Sequence, residues 1–314
     1  MSDLVSVIMP ARNAGEFIRE SIESILQQTY TNIELIVIDD QSTDNTREIV
    51  ESIADNRIII VSGEAEGIAS AFNVGLAQAK GKYFCRCDAD DLYPSDRLKK
   101  QVALLNEHSE LIAVCGQHSS IDEKSRHVVQ YNLGSIDELQ DAKFERAITK
   151  THFNTFLVRT HILKKIGGCR SFFVTAEDID LQLRLSEQGS IYFVAENTYL
   201  YRLHNLSITH TQPNTQRLFY DEFARQCHKQ RMETGKDQII TGILPEIPSE
   251  EKLSQHRSEN QILNQLVSES WYWHGRGDKK RSLQSGMKLI RLFPLNWLSW
   301  KALVLLLFKP VSNS

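Results

Sequence analysis

No run of about 18 uncharged apolar residues occurs in the sequence, so no bilayer-spanning helix is expected. Cysteine is scarce. Cys85, Cys87, Cys115, Cys169 and Cys227 make an odd-numbered set with no metal-ligand spacing beyond one C-x-C. They read as reduced thiols in a cytosolic setting. The opening MSDLVSVIMPARN lacks a basic region before its short apolar run, so no signal peptide is expected. A basic excess is also missing: 36 Lys and Arg face 40 Asp and Glu, a net charge of −4. The chain as a whole is therefore not expected to bind nucleic acid. Internal repeats and low-complexity tracts are absent.

What is present is an ordinary globular balance, 41% apolar and 24% charged over 314 residues. That is enough for one large domain or a domain with an appendage. Charge is spread unevenly. From Trp271 onward eight basic residues face a single acid, Asp278, so this tail carries +7 and the remainder −11. A basic tail on an acidic body suits an anionic partner.

The first half alternates two patterns. Apolar, strand-like runs lie at 4–9, 33–38, 57–61, 82–87 and 111–116. Helical spacing separates them: Ile18, Ile22, Ile25 and Leu26 within 16–28, then Ile49, Val50 and Ile53 within 44–54. Residues 68–81 read as a helix stopped at Gly81, and Pro94 opens one carrying Leu98, Val102 and Leu105. This β-α-β order predicts a mostly parallel sheet flanked by helices. Beyond Gly116 a hairpin is expected around 122–124 and helices near 137–149, 160–166 and 178–188. Strands are expected at 153–158, 190–195 and 198–204. Residues 205–250 are polar and unassigned, and the pattern is helical from about 251.

In parallel sheets, ligands bind at the carboxyl ends of strands. Asp39, Asp40, Asp88, Asp90 and Asp91 all fall there. In an extended chain Asp88 and Asp90 point the same way. Packed carboxylates raise each other's pKa unless a cation intervenes. Oxygen ligands suit Mg²⁺ or Mn²⁺, which take one or two protein carboxylates plus substrate phosphates. The alternative is helix capping, for which Ser95 or Asp96 would suffice. The exit VIDDQSTDNT (37–46) offers an aspartate to a nucleotide's base or ribose. Its alternative is a helix start capped by Ser42 or Thr43.

Together, VSVIMPARN, LIVIDDQSTDNT, CDADDLYPSDRL, AEDIDLQLRL and YRLHNLSIT resemble the family 2 glycosyltransferases of the GT-A fold, over residues 4–210. The resemblance implies a Rossmann-like α/β sheet, a nucleotide-sugar donor, Mn²⁺ or Mg²⁺, and inversion at the anomeric carbon. By position it implies Pro10 and Arg12 lining the nucleotide site, Asp40 at the base (most often uracil), Asp88 toward the ribose and Asp90 toward metal and diphosphate. It makes Asp178 the catalytic base and puts His204 near the diphosphate, with Glu177 on the acceptor side. The expected organisation is a catalytic domain over 1–210, with a nucleotide-binding half (1–116) and an acceptor half (117–210). A linker or irregular stretch (211–250) and a helical extension (251–314) follow.

Two departures stand out. Gln41 occupies a place usually held by Gly, and Arg170 and Ser171 replace an usual Asp and Glu. TAED also fits a capping box, with Thr175 as cap and Asp178 as its reciprocating acid. His204 alone would read as structural, and Arg202 could brace an acidic neighbour. Cys85 and Cys87 read as small buried residues, since thiolates suit softer metals.

Two other enzyme classes and one binding role compete. A sugar nucleotidyltransferase needs a Gly-rich N-terminal loop, which PARNAGEF lacks. A phosphohydrolase with paired aspartates would carry D-x-D after the first strand. A carbohydrate-binding scaffold would not need Asp88, Asp90 and Asp178. The tail 279–309 mixes basic residues with Leu, Trp and Phe, suiting an anionic membrane surface. Packing on the catalytic domain or a second subunit is its alternative. The expected acceptor is a glycan or lipid-linked hydroxyl, and the expected location is cytoplasmic, peripheral on the inner face of the membrane.

Overall fold

In the computed structural model, residues 2–130, 149, 151–204, 214–247, 258–275 and 277–309 are described. They divide into two compact units. The first lies within Met1–His118, Asn132–Tyr201 and Pro213–Lys252, the second within Ser119–Tyr131, Arg202–Gln212 and Leu253–Ser314.

The first unit is built on a sheet. Four parallel strands, β1 (Val5–Ala11), β2 (Ile33–Asp39), β3 (Ile58–Ser62) and β4 (Tyr83–Arg86), lie in the order β3-β2-β1-β4. Their near-continuous apolar runs follow from burial on both faces. Val5, Val7, Met9, Leu35 and Val37 enter one core layer and Ile8, Ile36, Ile38 and Phe84 the other. Helices α1 (Ile18–Leu26) and α4 (Arg97–Glu107) cover the first face with Ile18, Ile22, Ile25, Leu98, Val102 and Leu105. Helix α3 (Ile68–Gln78) covers the other with Phe72 and Leu76. Helix α2 (Thr46–Glu51) follows β2.

Gly81 does not cap α3, which ends at Gln78 with Ala79 as its C-cap. Its role is close approach. A Cβ there would sit 2.6 Å from the Ser6 backbone nitrogen, and its N–H donates to Ser6 Oγ at 2.8 Å.

Beyond β4 the sheet turns antiparallel. β7 (Leu157–Arg159) inserts between β4 and β5 (Leu111–Ile121) and runs against both. The strand expected over 153–158 is thus shorter. Phe153–Thr155 forms a 3₁₀ turn instead. Thr155 Oγ1 donates to the His152 carbonyl at 2.8 Å, a local bond that competes with strand pairing. The two strands expected over 190–204 are one, β8 (Ser190–Arg202), which pairs with β5.

Helices α5 (Thr160–Lys165) and α6 (Glu177–Ser186) follow β7. The stretch 211–250, expected as linker or irregular, contains the 21-residue helix α7 (Asn214–Thr234) and the short α8 (Gln238–Thr241). Tyr220, Phe223, Ala224 and Cys227 of α7 form a core with Phe173, Ala176 and Leu183 around α6.

In the second unit, the end of β5 forms the expected hairpin with β6 (His127–Gln130). Arg202 grips its turn, donating to the carbonyls of Asp122 and Glu123 at 3.2 and 3.3 Å. Helices α9 (Ser258–Gly275), α10 (Lys279–Leu292) and α11 (Trp297–Phe308) pack in sequence. Among the described residues no helix is long and apolar enough to cross a membrane. The helix expected at 137–149 lies outside the described residues, apart from Thr149.

Candidate active site

The parallel register assembles one end of the first unit. Ala11 lies opposite Asp39, and Ile8 opposite Arg86. Residues 10–12, 39–40 and 86–91 therefore leave three adjacent strands on the same edge. Pro10 is buried in β1 and Arg12 is exposed just beyond it. Asn13 ties the first two exits together. Its N–H donates to Ser42 Oγ at 3.0 Å, and its Oδ1 accepts from the Thr43 N–H at 2.8 Å.

The two aspartates after β2 do different work. Asp39 turns to its own loop and accepts from the Ser42 N–H at 3.1 Å. Asp40 is buried and accepts from the Ala65 N–H at 2.7 Å. Gly63 makes room for it, because a Cβ there would lie 2.5 Å from Asp40 Oδ1. Gln41 adopts φ +59°, the left-handed region that glycine enters without steric cost. The tight turn is kept, at a cost of about 1–2 kcal/mol.

The acidic exit of β4 is held from below by three side chains. Arg86 is buried, and its Nε is 2.7 Å from Asp88 Oδ1. Asn154 Nδ2 donates to Asp88 Oδ2 at 2.8 Å. Tyr199 Oη donates to Asp91 Oδ2 at 2.6 Å and accepts from the Asp88 N–H at 3.1 Å. Leu92 and Leu200 exchange two backbone bonds of 3.0 Å, fastening the loop to β8. Asp91 is fully buried, whereas Asp88 and Asp90 are partly exposed. The three carboxylates thus separate into an internal anchor, Asp91, a braced group, Asp88, and Asp90 on the loop between them.

Helix α6 brings the second acidic pair. The capping box expected at TAED does not form. The N-cap is Ala176, in the left-handed region at φ 58°, with no side-chain cap. Asp178 is half-buried and accepts locally, from the Ile179 N–H at 2.9 Å. Glu177, expected toward the acceptor, turns inward to Arg86 Nη1 at 3.2 Å and is 7% exposed. Burial, reinforced by the charge of Asp178 and opposed by Arg86, pushes its carboxyl up to about 7.

His152 lies within electrostatic reach of both Asp88 and Asp178. Its half-buried ring stacks on Tyr201 at 5.4 Å and meets His118 edge-on at 4.6 Å. Burial lowers its pKa, opposed by the nearby charges of Asp178 and Asp88. Arg170, where an acid was usual, pairs with Asp180 and with Asp237 Oδ2 at 2.7 Å. Asp180 also receives Arg184 at 2.8 Å, and Asp237 receives Arg231. This network fastens α6 to α7 and the turn after it. His204 is buried in the second unit. Cys85 and Cys87 are free and buried, and burial raises both thiols, which suits packing and not ligation.

Arg86, Asn154, Tyr199 and His152 were missed by motif reading. Arg86 alone left a signal. A charge inside the apolar run KYFCRC must be paired when buried. Among the described residues, no three His, Cys, Asp or Glu side chains cluster as a metal cage. The carboxylates at the β4 exit, Asp88 and Asp90 among them partly exposed, are oxygen donors that fit an ion taking one or two carboxylates and completing its shell with phosphates.

Comparison with known proteins gives the family and the fold. The model of the family Glycosyl transferase family 2 matches residues 6–178. A Rickettsia prowazekii (strain Madrid E) protein described as an uncharacterized glycosyltransferase is 31% identical over 271 residues, 85% of this chain and 79% of that one. The Escherichia coli UDP-Glc:alpha-D-GlcNAc-diphosphoundecaprenol beta-1,3-glucosyltransferase WfgD is 44% identical over 103 residues, 32% of this chain and 41% of its own. The structure of S. aureus TarS 1-349 in complex with UDP-GlcNAc superposes with a TM-score of 0.60 at 19% identity. It covers 92% of this chain and 81% of that TarS 1-349 chain, a likeness of fold. Acids at the exits of neighbouring parallel strands, a second acidic pair on α6, and a family match spanning both make this chain a glycosyltransferase that belongs to glycosyl transferase family 2.

Proposed function

We propose that the protein moves a sugar from a UDP-sugar to a hydroxyl of a lipid-linked or glycan acceptor, with inversion, in the assembly of a cell-surface polysaccharide. The observation that carries this reading is the Arg86 bridge. One buried guanidinium joins Asp88, on the donor side, to Glu177, beside Asp178. The match to an enzyme named for a UDP-glucose donor and a diphosphoundecaprenol-linked acceptor supports both substrate classes.

In this reading Asp40 accepts from the uracil, Pro10 and Arg12 line the nucleotide, and Asp88 orients the ribose. Asp90 would hold Mn²⁺ or Mg²⁺ together with the donor's phosphates. When bound, such an ion stabilises negative charge gathering on the leaving diphosphate. His204 is assigned to the diphosphate by motif position alone. The half-buried Asp178 takes the proton of the acceptor hydroxyl. The freed oxygen bonds to the anomeric carbon as the bond to the diphosphate breaks, and the electron pair leaves with UDP. In-line attack from the opposite face inverts the centre. General-base assistance contributes about 10²–10⁴-fold. The basic C-terminal helices suit the anionic membrane at which a lipid-linked acceptor lies.

The test is a screen of UDP-sugars with Mn²⁺ or Mg²⁺, scoring UDP release with and without polyprenyl-diphosphate-linked acceptors. Release from one UDP-sugar, stimulated by acceptor, is expected. No turnover with any nucleotide sugar and no UDP binding would favour a non-catalytic scaffold.

A further inference from the structure

The last helix of the second unit divides into two unlike faces. Ser299, Ala302 and Leu306 of α11 are buried, and Leu303 and Leu306 reach α10 at Gly286. A Cβ on Gly286 would sit 3.0 Å from Leu303 Cδ1, so the glycine lets the two helices meet closely. These positions repeat at helical spacing and form one inward stripe. The opposite stripe is apolar too. Trp297 is 68% exposed, Trp300 50%, Val304 48% and Phe308 82%, and Leu295 just ahead of the helix is fully exposed. Within WLSWKALVLLLF the only charge is Lys301.

A helix apolar all round belongs in a protein core or in lipid. Here one half is seated on α10 and the other half faces outward. Contiguous exposed apolar surface marks an interaction site. Its surroundings select the partner. From Lys279 to Lys309 the chain has seven basic residues and no acid. Lys279, Lys280, Arg281, Lys288, Arg291, Lys301 and Lys309 are all exposed. Lys301 lies over the Trp297 ring at 4.9 Å, and Lys309 over Trp271 at 5.1 Å. Long cationic side chains lying on aromatic rings keep apolar stems low and charges high, as at a lipid headgroup boundary. Tryptophan favours that same depth.

Length sets the mode of attachment. Twelve residues of helix extend about 18 Å, against about 30 Å of bilayer hydrocarbon. We propose that α11 lies in the plane of an anionic membrane, burying Val304 and Phe308 among the acyl chains and seating Trp297 and Trp300 at the boundary with the headgroups, which the basic residues meet. Helix α10 is the platform: its Ser282, Ser285, Gly286 and Leu289 are buried, so it packs and does not insert. This surface deepens the lipid-linked acceptor reading and rests on it only for its purpose.

The full chain is tested for co-sedimentation with phosphatidylcholine vesicles with and without phosphatidylglycerol, in the absence of sugar donor and acceptor. Binding only to the anionic vesicles is expected, weakening with salt. Brominated lipid should quench tryptophan fluorescence. A Trp297→Ala, Trp300→Ala, Phe308→Ala variant should bind at least about tenfold more weakly and lose the quenching. These side chains are exposed, and circular dichroism checks the fold. A Lys301→Glu, Lys309→Glu variant, with the apolar stripe intact, should also bind more weakly. Three results overturn the proposal: no binding to anionic vesicles, binding unchanged in both variants, or self-association through this face without vesicle binding. Because no substrate is present, each would leave the transferase reading standing.

Discussion

Arg86 and Glu177 lie 91 positions apart in the chain, yet Nη1 and Oε1 are 3.2 Å apart in a buried contact. The same guanidinium holds Asp88 at 2.7 Å. The end of β4 and the start of α6 are thereby fixed to each other, and with them Asp88 and the neighbour of Asp178. A planar fork can serve two carboxylates at once, which a lysine ammonium cannot do with the same geometry.

Removing that fork should therefore affect both fold and rate. Arg86→Met leaves two carboxylates short of a buried partner and is expected to cost about 3–5 kcal/mol in denaturant unfolding. Arg86→Lys keeps the charge and the fold but misplaces the acids. Its kcat should fall by about 10²-fold, as for displacements near 1 Å. Unchanged turnover in Arg86→Lys would show that the bridge does not position the site.

Asp90→Ala addresses the metal. Calorimetric titration of UDP with and without Mn²⁺ should show the metal-dependent part of binding lost in the variant, with a weak metal-independent part retained. If Mn²⁺ strengthens UDP binding equally in both proteins, Asp90 is not its ligand.

Asp178→Asn is nearly isosteric and its side-chain oxygen can still accept the Ile179 N–H. UDP affinity should match the parent protein, while transfer falls by about 10²–10⁴-fold. Single-turnover assays with saturating donor separate the two. Near-normal transfer would exclude Asp178 as the base.

Glu177 should leave a mark on stability against pH. Burial and the charge of Asp178 raise its folded pKa from an ordinary 4.5 to about 7. The folded state then binds more protons than the unfolded chain between those values. The contribution is full below about pH 4.5 and is lost as pH rises toward 7. The shift allows a change on the order of 3 kcal/mol. Glu177→Gln should flatten that segment of the unfolding profile. An unaltered slope would mean that Glu177 does not titrate there.

Much of the scaffold was legible because its signals are local. Continuous apolar runs marked β1, β2 and β4, whose burial on both faces forbids alternation. Helix α7 was legible in principle: Tyr220, Phe223, Ala224 and Cys227 stand at helical spacing. Their narrow stripe is hidden among charged and polar residues, most of them exposed but two of them largely buried. His228 and Arg231 pair with Glu187 at 2.7 Å. Arg170 likewise gave no hint that it would bind Asp180 and Asp237.

The residue order by itself determined which side chains stand at strand exits, because a parallel sheet puts every such exit on one edge. It also determined that the tail is basic and apolar. Only the tertiary structure decided what each acid touches: Asp91 is spent on Tyr199, Asp88 is braced by Arg86 and Asn154, and Glu177 turns inward beside a half-buried Asp178. Those choices depend on pairings between distant segments, whose energies come from burial and ion pairing in the folded state and leave no trace in local spacing.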